Sequence, residues 1–104
     1  MSFEFLARFE YDWLEHNRDE LARSIESLPS YVGKNSDTEF WLKDPSSKHP
    51  WESDVRLILR KSSVRVEVSA WSDAYYRDLK QLIDKLSASA QVKFVNDAEE
   101  PIHF

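Results

Sequence analysis

The stretch Val55-Arg56-Leu57-Ile58-Leu59-Arg60-Lys61-Ser62-Ser63-Val64-Arg65-Val66-Glu67-Val68 decides the fold. Val55, Leu57 and Leu59 alternate with Arg56, Ile58 and Arg60, and Val64, Val66, Val68 and Ala70 alternate with Arg65, Glu67, Ser69 and Trp71. Side chains of a strand point to opposite faces in turn, so this period of two predicts two strands, each with one buried face. Ser62-Ser63 is the natural turn between them, which makes the pair a hairpin.

Working outward towards the amino terminus, Glu39-Phe40-Trp41-Leu42-Lys43 reads as a further strand with Phe40 and Leu42 inward. The segment 44–53 carries Pro45 and Pro50 among polar residues and reads as a surface loop. Pro29 to Asp37, with Gly33, Asn35 and Ser36, reads as a loop containing a turn. Before it, Leu14, Leu21, Ile25 and Leu28 form one helical stripe that Pro29 ends. Asp12 with Glu15, and Asn17 with Glu20, are two competing capping boxes for its start. Residues 2–11 place Phe3, Phe5, Ala7, Phe9 and Tyr11 on one face and Glu4, Leu6, Arg8 and Glu10 on the other, another strand.

Towards the carboxyl terminus, Ser72 or Asp73 is expected to cap a helix with Tyr75, Leu79, Leu82, Ile83 and Leu86 on its buried stripe. Val92-Lys93-Phe94-Val95 reads as the last strand. Residues 96–104 read as an acidic tail expected to fray, and residues 1–95 as a single α+β domain. The expected order is β-α-β-β-β-α-β. Strands with one apolar and one mixed face need covering on one side only, so two helices should lie on one face of a largely antiparallel sheet. That is an α+β two-layer sandwich of the ferredoxin-like or split-βαβ class with an additional strand.

Composition narrows the function classes. The 104 residues include no Cys, which removes disulfides, thiolate metal sites and cysteine nucleophiles. The single glycine, Gly33, with Lys34 beside it, lacks the rest of a phosphate loop. The start has no basic region before an apolar run, and no stretch reaches the roughly 20 apolar residues of a membrane helix, so a soluble cytoplasmic protein is expected. A net charge of −5 disfavours nucleic acid as a partner. His16, His49 and His103 stand at no metal-ligand spacing and read as surface residues; no cofactor or metal is expected. Asp19 and Glu20, adjacent on a helix, cannot converge on one atom and fit the first turn, where negative charge complements the helix dipole.

From residue 12 to 88 the order α-β-β-β-α resembles the double-stranded-RNA-binding domain. That family carries a basic cluster at the start of its second helix, where this chain has Ser72-Asp73-Ala74-Tyr75-Tyr76-Arg77-Asp78, close to neutral. The likeness extends to topology and not to chemistry.

The sheet face away from the helices is the surface of interest. It is expected to display Arg8, Lys43, Arg56, Arg60, Arg65 and Lys93, with Leu6, Trp41, Ile58 and Trp71, against Glu4, Glu10, Glu39 and Glu67. Trp51 lies in the long loop beside it. Trp and Arg are enriched at binding hot spots, which marks Trp41, Trp51, Arg56, Ile58, Arg60, Arg65 and Trp71 as an expected interaction surface. The alternative role for such charges is cross-strand pairing, worth about 0.2–1 kcal/mol per pair. The expected function is a small non-enzymatic interaction or accessory protein of a kind common in bacteria, toxin-neutralising in one version. A small-ligand-binding or regulatory domain, self-associating through the open face, is the other reading.

Overall fold

A computed structural model describes residues 3–10, 12–43, 54–69, 73–89, 91–96 and 98–102. The elements are β1 (Phe3–Phe9), α1 (Trp13–Glu26), β2 (Tyr31–Ser36), β3 (Glu39–Leu42), β4 (Val55–Leu59), β5 (Ser63–Val68), α2 (Asp73–Ser89) and β6 (Val92–Asn96). The six strands form one antiparallel sheet in the order β2-β3-β4-β5-β1-β6. Both helices cover the same face, so the two-layer α+β arrangement stands.

The order holds one strand more than the sequence reading. Residues 31–36, expected as a loop, are the edge strand β2. Gly33, Asn35 and Ser36 do not break it, because its pairing with β3 shifts register between Tyr31 and Gly33 and again between Lys34 and Ser36. Such irregularities absorb turn-forming residues within a strand. β2 to β5 form a four-stranded meander, α1 spans from β1 to its far edge, and α2 carries the chain past β1 to β6. β1 therefore sits between β5 and β6, as in a split βαβ unit, but a four-stranded ferredoxin-like order is not what is found.

Alternation placed the core. Phe5, Ala7 and Phe9 of β1, Phe40 and Leu42 of β3, Val55, Leu57 and Leu59 of β4, and Val64, Val66 and Val68 of β5 are all buried. They meet Leu14, Leu21 and Ile25 of α1 and Leu79, Leu82 and Leu86 of α2 in one cluster. Burying each such aliphatic side chain stabilises by about 1.5–3 kcal/mol before ordering costs. Trp13 extends the cluster by stacking on Phe9, with ring centroids 4.9 Å apart and planes 8° from parallel.

Two termini differ from expectation. α1 starts after Asp12, but Asp12 has φ 70° and makes no side-chain cap bond, so neither capping box forms there. Asp12 instead accepts on its carbonyl from the His16 N–H at 3.1 Å, with His16 Nδ1 2.9 Å from the same oxygen. At the other end, residues 98–102 do not fray. Asn96 and Glu100, then Phe94 and Ile102, bond through their backbones at 2.9 Å each, and Val95 bridges Pro101. Ile102 packs on the core.

Candidate surface site on the open sheet face

Pairing registers fix what lies beside what on the face opposite the helices. One row runs Glu39, Ile58, Arg65, Leu6, Val95 across β3, β4, β5, β1 and β6. A second runs Trp41, Arg56, Glu67, Glu4. A third places Ser63, Arg8 and Lys93 side by side. Trp41, Arg56, Ile58 and Arg65 thus stand near one another on one face. Arg60 follows β4, exposed at the end of the same face, its carbonyl accepting a bond from the Arg18 guanidinium at 2.8 Å. Trp51 and Trp71 lie outside the described residues.

Much of the charge on this face is internally committed. Arg65 donates from Nε to Glu67 at 3.0 Å on its own strand and from a terminal nitrogen to Glu4, a fork that ties β5 to β1. The Trp41 indole N–H donates to Glu39 at 2.7 Å, which turns the ring along its own strand. Arg8 pairs with Glu99 of the carboxyl-terminal turn. Arg56 is different: it is exposed, stands opposite both Trp41 and Glu67, and makes no ion pair among the described residues.

The apolar members are partly covered. Leu6, Trp41 and Ile58 are all intermediate in exposure, and among the described residues the exposed large hydrophobic is Val32, on the β2 edge and 53% exposed. The face is thus a charged surface with apolar patches between the charges, not a bare apolar sheet.

Asp78, 8% exposed, accepts the Ser30 backbone N–H at 2.9 Å and ties α2 to the entrance of β2. Between the helices a crevice of about 40 Å³ is lined by Trp13, Asn17, Glu20, Leu21, Ser24, Lys85 and Leu86. Small-molecule sites run to about 300–1,000 Å³, so this crevice is far below that size. Among the described residues no cluster of His, Asp and Glu could hold a metal ion, and no helix is long and apolar enough to cross a membrane.

No protein-family model matches the chain, and no curated protein or solved structure is recognisably similar to it. Any functional reading rests on the geometry above.

Proposed function

We propose that the chain is a non-enzymatic protein-binding domain, cytoplasmic and of the accessory or toxin-neutralising kind, that receives an acidic protein surface on its open sheet face. The observation that carries this reading is Arg56. It is an exposed guanidinium on the sheet face opposite the helices, with Trp41 and Ile58 as apolar neighbours and no ion pair among the described residues. Arg beside Trp is the composition of a hot spot, and a carboxylate from a partner gives Arg56 a two-pronged bond that its own neighbours do not. The committed roles of Asp78, Glu39, Glu4 and Glu67 favour binding over acid–base chemistry.

The test is capture of a partner from native cells followed by binding with both proteins purified. Arg56→Glu is expected to weaken binding about thirtyfold, the scale of a hot-spot residue, while Glu26→Lys on the exposed side of α1 leaves it unchanged. A purified partner that binds all variants alike overturns the reading, as does recovery of none.

A further inference from the structure

At the β1–β6 end of the open face, the register sets Arg8 directly opposite Lys93. Like charges directly opposite each other destabilise a sheet. The remaining cross-strand surroundings of Arg8 bring no relief. Ser63 faces it from β5, the diagonal positions on that side hold Arg65 and Lys61, and those on β6 hold Val95 and Gln91. The sheet therefore concentrates cations here in a protein whose net charge is −5. Arg8 and Lys93 line an open depression of about 390 Å³ with Phe9, Glu10 and Gln91. Glu10 has its carboxylate at the Gln91 backbone N–H, 3.3 Å away.

One carboxylate does reach Arg8, and it comes from outside the sheet. Glu99 lies in the turn after β6 with φ 64°, a left-handed backbone that non-glycine residues seldom adopt. The turn is held by the Asn96 side chain, whose Oδ1 accepts from the N–H groups of Ala98 and Glu100 at 2.9 Å each. Lys93 stays exposed and without an ion pair among the described residues.

We propose that Arg8 and Lys93, beside this depression, form a carboxylate-binding subsite for an acidic, extended segment of a protein partner, and that Glu99 holds Arg8 in the unbound molecule. This rests on the reading of the open face as a protein interface and names the partner's chemistry there. The molecule itself supplies the argument for the occupant: a carboxylate from the turn after β6 already pairs with Arg8 and, among the described residues, leaves Lys93 without an ion pair. A partner segment carrying two carboxylates satisfies both cations and displaces the single bond from Glu99.

The probe is a synthetic extended peptide of alternating glutamate and threonine, titrated at low ionic strength and followed by amide shifts in nuclear magnetic resonance. Shifts centred on Arg8, Gln91 and Lys93 are expected. Glu99→Gln should tighten binding about two- to fivefold, the worth of one exposed ion pair. Lys93→Ala and Lys93→Glu should each weaken it, the reversal by about fivefold or more. Equal affinity in wild type, Glu99→Gln and Lys93→Glu overturns the proposal. So does inorganic phosphate that binds the depression as tightly as the peptide, since that marks a general anion sink. A native partner whose binding depends on Arg56 but is indifferent to Lys93 and Glu99 overturns this subsite alone and leaves the interface standing.

Discussion

Asp78 shows how a single buried carboxylate can hold two layers together. The chain turns from α1 into β2 at Ser30, whose N–H is buried and has no strand partner of its own. Asp78 on α2 accepts it at 2.9 Å, while the Ser30 carbonyl accepts from the Lys43 N–H at 2.8 Å. Removing one partner leaves a buried donor unsatisfied, which costs about 1–3 kcal/mol. Asp78→Ala is therefore expected to lower unfolding free energy by about 2–3 kcal/mol, and Asp78→Asn, which keeps a carbonyl acceptor, by about half that. Urea denaturation checks this; equal losses in the two variants would show that shape, not the acceptor, matters at this position. Neighbouring Ser30 presents the opposite case, a buried hydroxyl with no hydrogen-bond partner among the described residues.

At the scale of elements, the carboxyl-terminal turn is held by residues whose roles are separable. Asn96 bonds two backbone N–H groups through its side chain, whereas Glu100 and Ile102 carry the backbone pairing to β6. Asn96→Ala should release residues 98–102 and cost about 1 kcal/mol or less globally. In hydrogen exchange, the Ile102 amide should lose protection while Val66 and Leu57 keep theirs; unchanged protection at Ile102 would mean the backbone pairing alone suffices. The same element shows where sequence reading stops. Alternation located β1, β3, β4 and β5 and their buried faces because each period of two spans several residues. β2 carries no alternation, since its two irregularities put Val32 and Asn35 out of phase, and its turn-forming residues point the other way. The tail is acidic and contains a proline, both signs of fraying; its pairing to β6 runs through backbone groups that no side-chain pattern marks, and the Arg8 ion pair comes from 91 residues away. The candidate face was legible as a set of residues, because face follows from alternation. Which cations on it are paired was not, because cross-strand neighbours follow from strand order. Arg65 and Arg56 look alike in sequence, yet one is forked between Glu4 and Glu67 and the other is exposed.

Strand order also sets how the whole molecule must assemble. The meander β2-β3-β4-β5 joins strands adjacent in sequence, and its β4–β5 connection is the short segment between Leu59 and Ser63. β1 finds its partners only across the chain, Phe5 opposite Val66 on one side and Asn96 on the other. Closing such long loops costs entropy before any contact repays it, so long-range pairings tend to form late. The β6 edge carries the longest of these separations and the least core behind it, as Val95, buried to 8% exposure, faces away from the helices beneath Pro101. Leu57 sits instead in the middle of the meander at 1% exposure. Leu57→Ala is expected to slow folding, with a ratio of kinetic to equilibrium destabilisation of about 0.5 or more, as for a residue in the folding nucleus. Val95→Ala should mainly speed unfolding, with a ratio of about 0.2 or less. Stopped-flow folding and unfolding rates against urea give both ratios. If Val95→Ala slows folding as much as its equilibrium loss while Leu57→Ala does not, the β1–β6 pair forms first, and the meander is then built onto that pair.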